Sequence, residues 1–190
     1  MGKGQSHKLL ATFCGVPLVR RSAQTLIKAK ISPVVAVTGH RHQEIEAALA
    51  GTGIMVQFNA SYSSGLASSL SAGLSCEALG GCEGVLVMLA DMPGISAEHV
   101  MQLADSFERS DGHVIVRAVN KGVRGNPIIL PRATFHEVLN LQGDAGARTI
   151  IENCGLPIID VEIGPAAHLD VDTPEAVKAA GGLLAEHRDG

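Results

Sequence analysis

Short apolar runs rich in β-branched residues recur along the chain, separated by stretches long enough to hold a helix. The clear runs are 33–39, 84–91, 113–119, 126–130 and 157–163, and 53–58 is a weaker sixth. Each run is almost continuously apolar rather than alternating, which is typical of strands that are buried on both faces. The pattern therefore predicts a sheet inside the domain, with other elements covering it above and below.

Helical periodicity fills the intervals between these runs. The predicted helices cover about 17–30, 41–50, 65–79, 96–109, 131–141, 144–153 and 173–187. In one of them an apolar stripe includes Val100 and Leu103, and Ser96 stands ahead of it as a candidate N-cap. Thr173 followed by Pro174 marks another helix start. Strands that alternate with helices predict a single α/β domain with a mostly parallel sheet.

Composition narrows the class of protein. With 190 residues and 46% hydrophobic content, the chain is long enough to form one domain with a substantial core. Its net charge of −4 argues against a nucleic-acid-binding surface, which needs a basic stripe. The N-terminus is polar, and no apolar run approaches the roughly 20 residues of a membrane span. We therefore predict a cytoplasmic protein that binds neither nucleic acid nor membrane.

The cysteines give no sign of a metal or disulfide framework. No Cys-x-x-Cys pair occurs, and no histidine pair stands at zinc-finger spacing from Cys14, Cys76, Cys82 or Cys154. We interpret them as reduced thiols, most of them acting as small hydrophobic side chains in a cytosolic protein.

Candidate chemistry is expected after the strands, because the ligands of such sheets gather beyond the carboxyl ends of the strands. Asp91 directly follows the apolar run that begins at Gly84, and Pro93-Gly94 then turn the chain sharply. A carboxylate at a strand end suits Mg²⁺, which takes one or two carboxylates and leaves its other positions to water and phosphates. A turn cap ahead of the next helix explains Asp91 equally well.

A second acidic pair, Asp170 and Asp172, lies in an extended segment near the C-terminus. Alternate residues of an extended segment project to the same side, so both carboxylates are able to face one site. Acids from two distant segments that converge on a metal–triphosphate complex would serve phosphoryl chemistry. The alternative is that one aspartate caps the following helix and the other is solvated.

Residues 59–70 pass from a strand end through Gly65 into a helix rich in hydroxyl groups, which include Ser68 and Ser69. A helix N-terminus with a glycine offers free backbone N–H groups to an anion or to the edge of a base. The serines are equally explained as capping and packing residues. Lys8 is able to meet a phosphate, although an isolated lysine is usually a surface residue.

Two glycine-containing strings open later elements. Gly125-Asn126 opens a strand, and the string 143–148 opens a helix. Asp144 as N-cap, with Arg148 four residues on, would form a local ion pair, which explains both residues without a ligand.

His40 and His42 follow the first strong apolar run and invite a metal interpretation. Alternate histidines in a polar loop are far more often solvated, which is the interpretation that we prefer. No Gly-x-Ser-x-Gly elbow occurs, so a hydrolase is not indicated.

Seven strings together resemble the MobA-like molybdenum-cofactor nucleotidyltransferases, and among them the molybdopterin cytidylyltransferase branch. They run in the family's order and cover essentially the whole chain. The strings are Pro-Leu-Val-Arg (17–20), Pro-Val-Val-Ala-Val-Thr-Gly-His (33–40), Asn-x-x-Tyr-x-x-Gly-x-x-x-Ser-Leu (59–70), Leu-Ala-Asp-Met-Pro-Gly (89–94), Gly-Asn-Pro (125–127), Gly-Asp-Ala-Gly-Ala-Arg (143–148) and Asp-Val-Asp-Thr-Pro-Glu (170–175). Each string alone is weak, whereas seven in order are a strong signal.

The resemblance implies a Rossmann-like three-layer α/β/α sandwich with a mostly parallel, mixed sheet, of the nucleotide-diphospho-sugar transferase type. It implies an enzyme that transfers CMP from CTP to the molybdopterin phosphate of the molybdenum cofactor, with Mg²⁺ and with release of pyrophosphate. Asp91 would be the main magnesium ligand, assisted by Asp170 or Asp172, and Lys8 would neutralise the donor phosphates.

The same resemblance assigns the remaining candidates. The nucleotide would lie against the glycine and hydroxyl groups of one helix start, namely Gly65, Ser68 and Ser69. The acceptor end would be shaped by residues of two later strings, namely Gly125, Asn126, Asp144 and Arg148.

The family opens with a strand and the loop Leu-Ala-Ala-Gly-x-Ser-x-Arg-Met-Gly, and Met1-Gly2 aligns with the last two residues of that loop. The strand and most of the phosphate loop would therefore lie upstream of residue 1. A misassigned start, a truncated chain and a degenerate family member are explanations that stay open.

Two other functions stay open as well. One is a transferase of the same fold that uses GTP, another nucleotide or a sugar-phosphate acceptor. The other is a non-catalytic protein that holds the cofactor for insertion into a client molybdoenzyme.

Overall fold

The computed structural model describes residues 7–144 and 146–184, and its elements alternate as the apolar pattern predicts. The α-helices are Leu18–Lys28 (α1), His42–Leu49 (α2), Leu66–Leu74 (α3), Ala97–Glu108 (α4), Phe135–Leu139 (α5), Ala147–Asn153 (α6) and Pro174–Ala179 (α7). The strands are Thr12–Phe13 (β1), Val16–Pro17 (β2), Val35–Thr38 (β3), Met55–Phe58 (β4), Gly84–Val87 (β5), Ile115–Asn120 (β6), Val123–Pro131 (β7), Ile158–Glu162 (β8) and Gly182–Leu183 (β9). Each of the predicted apolar runs overlaps one strand.

The strands of the described residues form one mixed sheet and two smaller sheets. β5, β7, β6 and β8 lie side by side in that order, β3 pairs in parallel with β4, and β2, β1 and β9 form an antiparallel sheet. β7 is antiparallel to both of its neighbours. It pairs with β6 in this way because a tight turn at Lys121 and Gly122, both with positive φ, joins the two strands as a hairpin. The predicted α/β class and mixed sheet are confirmed, but the sheet is less parallel than the apolar pattern suggested.

Helices cover the mixed sheet on both faces. One face packs against α4 through the buried residues Val116, Ile129, Val100 and Leu103. The other face packs against α5 and α6 through Ile115, Ile128, Leu130, Val138 and Ile150. Successive residues of β6 and β7 therefore belong to opposite faces, as the pleat of a strand requires, and the result is a layered sandwich.

The C-terminal helix is shorter than the predicted range 173–187. Thr173 caps α7 as expected, but Gly181 takes a positive φ of 83° and turns the chain out of the helix. At Gly182 a Cβ would lie 2.6 Å from the Phe13 ring, so only glycine allows this approach. The chain then pairs as β9 with β1, an element too short for periodicity to predict. The last residues of the predicted range lie outside the described part of the chain.

The other helices are also short. The predicted ranges 65–79 and 131–141 each divide into an α-helix and a 3-10 turn. The α4 helix has 12 residues. Across 7–144 and 146–184, none of the helices has the length and apolar character needed to cross a bilayer.

An apolar slot separates the β3–β4 sheet from the mixed sheet. Among the described residues β3 pairs with β4 alone and β5 with β7 alone, so each presents one backbone edge to the slot. Residues 34–38 and 84–90 line the resulting cavity of about 390 Å³. Side chains of α1, α2 and α3 close it, among them Val19, Ile45 and Leu70. The slot thus has strand edges at its sides and apolar helix faces above and below it. These are the surroundings of a buried strand in an α/β sheet.

Replacing Leu103 by alanine is expected to destabilise the fold, because this side chain is fully buried between α4 and the mixed sheet. A change of this kind costs roughly 2–5 kcal/mol in the free energy of unfolding. Met101→Ala, at an exposed position of the same helix, is the matched control and should cost less than about 1 kcal/mol. Urea denaturation measures both variants, and equal stabilities would contradict the packing of α4.

Candidate functional site

Three charged side chains from distant parts of the chain meet at one point. The Lys8 ammonium lies 2.5 Å from Asp91 Oδ2 and 2.5 Å from Asp172 Oδ1. In sequence, 83 residues separate Lys8 from the first carboxylate and 164 from the second. The Asp91 side chain is 16% exposed and that of Asp172 is 65% exposed, so one acid is sheltered and the other is open. The ammonium therefore bridges two of the acids that the sequence identified as candidate metal ligands.

The backbone holds Asp91 from two sides. Just before it, the Ser22 hydroxyl of α1 donates a hydrogen bond to the Ala90 carbonyl at 3.0 Å. The Val171 N–H donates to the Asp91 carbonyl at 3.0 Å. Helix α1 and the segment that carries Asp172 are thus both bonded to the backbone at Ala90 and Asp91. These two bonds fix the position of the backbone from which the Asp91 side chain extends.

The turn-cap explanation of Asp91 is wrong. Ser96 caps α4 instead: its hydroxyl accepts from the His99 N–H, and the His99 ring accepts from the Ser96 N–H. The Asp91 carboxylate meets Lys8 through Oδ2, while its Oδ1 is buried and has no hydrogen-bond partner among the described residues. An unpartnered buried carboxylate oxygen is rare in folded proteins and calls for a cation or a donor.

The segment before α7 places Asp170 and Asp172 on either side of Val171. Val171 is fully buried and bonds to the Asp91 backbone, whereas both aspartates are exposed. This is the alternation that the sequence predicted for an extended segment. The helix cap is supplied by Thr173, so neither aspartate is used as a cap.

Charge and hydrogen bonding favour the ionised forms of Lys8 and Asp172. Burial alone would lower the pKa of the Lys8 ammonium, but its hydrogen bonds to Asp172 and Asp91, together with their charges, raise that pKa above its usual value. The hydrogen bond and the charge of Lys8 hold the pKa of Asp172 below its usual range. Near neutral pH the cluster therefore contains a protonated lysine and an ionised Asp172.

The donor set of this cluster is suited to a hard divalent cation. Mg²⁺ usually takes one or two carboxylates and keeps its other positions for water and phosphate oxygens. Asp91 and Asp172 supply two carboxylates, and Oδ1 of Asp91 is a further donor atom without a partner. Within the ranges that the structure describes, no three histidine, cysteine, aspartate or glutamate side chains are arranged so that they could hold a metal ion together.

Gly65, Ser68 and Ser69 lie at the start of α3, where their polar groups bond within the protein. The buried Asn59 amide donates to Ser68 Oγ at 2.9 Å and to Ser69 Oγ at 3.2 Å. Gly65 has a φ of 109°, and a Cβ there would overlap the Gly143 carbonyl. These contacts support the capping and packing explanation of the serines. A contact of the three residues with a nucleotide stays a prediction.

Gly125 and Asn126 lie in β7, beside the segment that leads to the two exposed aspartates. A Cβ on Gly125 would overlap the Ala167 carbonyl, so the two backbones approach as closely as only glycine permits. The His168 ring nitrogen lies 2.9 Å from the Arg124 carbonyl oxygen and ties the same two segments together. A role for Gly125 and Asn126 toward an acceptor stays a prediction.

The predicted ion pair between Asp144 and Arg148 is wrong. Helix α6 begins at Ala147 with Gly146 as its N-cap residue, so Asp144 lies outside the helix and is exposed. Arg148 bonds to Glu152 at 2.8 Å, one turn further on, and this bond holds the pKa of Glu152 below its usual range. The helix begins late because the chain before it packs against the start of α3.

A row of rings beside Lys8 was not predicted from the sequence. His7 stacks on His40 with ring centroids 5.9 Å apart, and His40 lies 6.3 Å from the Tyr62 ring. Burial lowers the pKa of His7, and nearby positive charges lower it further. The three rings come from three separate segments of the chain, so no spacing in the sequence could bring them together. His40 and Tyr62 each stood in a family string, but the strings did not indicate that the rings meet.

His40 and His42 do not converge on a common site. The His42 ring contacts the Phe58 ring at 4.4 Å and lies 3.3 Å from Glu46, whereas His40 stacks with His7. The two rings therefore belong to separate contacts.

Comparison with known proteins identifies the family of the chain. The family model of the MobA-like NTP transferase domain matches residues 1–158. No curated protein matches the chain.

Solved structures match the fold along nearly the whole chain. A nucleotidyl transferase from Methanothermobacter thermautotroptrophicus has a TM-score of 0.78 at 23% identity, over 92% of this chain and 83% of its own. Rv0371c from Mycobacterium tuberculosis H37Rv, in complex with manganese, has a TM-score of 0.78 at 20% identity, over 94% and 92%. Molybdopterin-guanine dinucleotide biosynthesis protein A from Archaeoglobus fulgidus has a TM-score of 0.60 at 18% identity, over 94% and 92%. At these identities the likeness shows a shared nucleotidyltransferase fold.

Gly65→Ala should destabilise the protein, because the residue needs a φ of 109° and has no room for a Cβ beside Gly143. Strain of this kind costs roughly 1–3 kcal/mol in the free energy of unfolding. Gly81→Ala is the matched control, since a Cβ at Gly81 would meet no atom within 4 Å. If thermal or urea denaturation finds the two variants equally stable, the close contact between the loop at 143 and α3 is wrong.

Proposed function

We propose that this chain, which belongs to the family of MobA-like NTP transferase domains, transfers a nucleoside monophosphate from a nucleoside triphosphate to a phosphate-bearing acceptor. The proposed donor is CTP, the proposed acceptor is the molybdopterin phosphate of the molybdenum cofactor, and pyrophosphate is the second product. The observation that carries the proposal is the meeting of Lys8 with Asp91 and Asp172 after the end of β5. Open α/β sheets bind their ligands at this edge.

In this function Asp91 and Asp172 would hold Mg²⁺, with Asp170 close by. Bound there, the ion would neutralise the charge on the donor phosphates and orient them. Support comes from the unpartnered Oδ1 of Asp91. The manganese complex of Rv0371c, a protein of the same fold, also makes a divalent cation reasonable.

The chain itself would act through position and charge. Lys8 would bind the phosphates of the leaving pyrophosphate, since an ammonium on a flexible stem binds phosphate as a point charge. In-line attack by an acceptor phosphate oxygen on the α-phosphorus needs no covalent nucleophile from the protein. A site built from two acids and one lysine agrees with that requirement.

The remaining candidates would line the substrates on either side of the charged cluster. On the nucleotide side these are Gly65, Ser68 and Ser69, and on the acceptor side Gly125, Asn126, Asp144 and Arg148. Gly125 has the strongest support of the acceptor residues, because its backbone lies against Ala167 in the segment that leads to Asp172. Asp144 and Arg148 have the weakest, because Arg148 already bonds to Glu152 and neither residue bonds to the charged cluster.

Two other functions remain as alternatives. The first is a transferase that uses GTP or another nucleotide, or a sugar-phosphate acceptor; the Archaeoglobus protein of the same fold, which is named for a guanine dinucleotide, supports it. The second is a non-catalytic protein that holds the cofactor for a client molybdoenzyme. Titration calorimetry with CTP and with GTP, in the presence and absence of Mg²⁺, separates the donors. Pterin binding without binding of either nucleotide would favour the second alternative.

We also propose that an extended apolar segment, joined on the amino-terminal side of residue 1, fills the slot between β3 and β5 in the active protein. The walls of the slot are two strand edges and apolar helix faces, which suit an added strand. His7 stacks on His40, just after β3, and Lys8 contacts Asp91, after β5. A strand parallel to β3 and β5 would therefore end at the edge of the sheets where His40 and Asp91 lie.

The slot proposal is tested by fusing a seven-residue apolar strand ahead of Met1. Burying each Val or Leu gains roughly 1.5–3 kcal/mol and ordering each residue costs roughly 1–2 kcal/mol, so we expect the fusion to raise the free energy of unfolding by a few kcal/mol. The control is a fusion of equal length with lysine at alternate positions, which the apolar walls would reject. Equal stability of the two fusions, measured by urea denaturation, would show that the slot does not take a strand.

Asp91→Asn should lower the rate of pyrophosphate release from CTP by at least about 100-fold, because it removes the sheltered carboxylate of the cluster. Asp105→Asn, at an exposed acid of α4, is the matched control and should leave the rate unchanged. A coupled pyrophosphate assay, run on the chain and on its strand-bearing fusion, measures the effect. Undiminished turnover by the Asp91 variant would remove this residue from the proposed site.

A further inference from the structure

The Lys8 ammonium contacts the two carboxylates that the proposed metal ion would use. It is 2.5 Å from Asp91 Oδ2 and 2.5 Å from Asp172 Oδ1. A magnesium ion that is bound by carboxylates would need oxygens of the same two side chains. The ammonium and the metal ion would therefore compete for these two oxygens.

We propose that Lys8 is an exchangeable internal cation: it holds the two carboxylates together before the metal binds and moves to the donor phosphates when metal and nucleotide enter. This inference rests on the proposed function, since it concerns the same metal and donor. It adds a role for Lys8 in the order of loading. The residue acts as a positioning residue first and as a phosphate-binding residue afterwards.

The charges of the cluster make this exchange depend on the nucleotide. Asp91 and Asp172 are two acids and Lys8 is one base, so the ammonium offsets only one of the two carboxylate charges before a metal binds. A divalent ion that binds without a nucleotide displaces the ammonium from both carboxylates. The ammonium is then left without an anionic partner, which is unfavourable. A triphosphate gives the ammonium new anionic partners, so the displacement costs less when metal and nucleotide bind together. Each ligand must then strengthen the binding of the other by the same factor.

The local structure allows the ammonium to move while its backbone stays in place. Lys8 lies in the short 3-10 turn Lys8–Leu10, and Leu9 and Leu10 pack against the cluster formed by Val19, Ala23 and their neighbours. The Lys8 side chain is 34% exposed, and its four-carbon stem is flexible. The turn is thus anchored by its two leucines, and the ammonium is able to turn outward toward solvent and phosphates.

The first test measures the binding of Mn²⁺ alone, by electron paramagnetic resonance, to the full chain and to Lys8→Met. We expect the variant to bind Mn²⁺ about tenfold more tightly, because no ammonium has to be displaced. Lys28→Met, at the exposed end of α1, removes the same charge elsewhere and should change the affinity by less than about twofold, since salt screens distant surface charges. Lys8→Gln repeats the measurement with a polar side chain in case the methionine variant does not fold.

The second test measures how much saturating CTP strengthens Mn²⁺ binding. The wild-type chain should show a clear enhancement, Lys8→Met should lose most of it, and Lys8→Arg should keep it. Mn²⁺ binding by the Lys8 variants that is no tighter than wild type would overturn the inference and leave the metal site standing. Tighter binding without a loss of the CTP effect would overturn the movement to the phosphates. Absence of Mn²⁺ binding by every variant would overturn the proposed metal site and this inference together.

Discussion

The candidate site depends on the neutralisation of one sheltered carboxylate. Asp91 stands at the end of the β5 region with only 16% of its side chain exposed, and such a group is costly unless a cation is close. Lys8 supplies that cation and shares it with Asp172, while the Val171 N–H bond to the Asp91 carbonyl sets the distance between the two acid segments. Three remote parts of the chain therefore meet through charge and a single backbone bond.

The two sides of β5, the strand that leads to Asp91, are packed to different degrees. The mixed sheet is covered on both faces by fully buried side chains, so the strand that leads to Asp91 has a rigid neighbour in β7. On its other side β5 faces the apolar slot, where no described strand bonds to it. The charged cluster thus lies between a well-packed half of the domain and a half whose sheet is open along one strand edge.

The sequence predicted most of the fold, because burial leaves a strong mark on local composition. Each apolar run overlaps a strand, and the caps at Ser96 and Thr173 lie where the pattern indicated. The errors occurred where a remote contact overrode a local preference. Helix α7 ends early because Gly182 meets Phe13, and α6 begins late because the loop before it packs against α3. Neither contact leaves a periodic signal.

For the site, the sequence by itself determined the kinds of residues: acids after strands, a glycine before a hydroxyl-rich helix, and the order of strings that marks the family. Local spacing even indicated that Asp170 and Asp172 share a side. Only the tertiary structure decided that Lys8 bridges Asp91 and Asp172, that His7, His40 and Tyr62 form a row, and that Arg148 bonds to Glu152 instead of Asp144. The physical reason is range: hydrophobic periodicity and capping act over a few neighbouring residues, whereas a bridge across 83 and 164 residues exists only when the whole chain is packed.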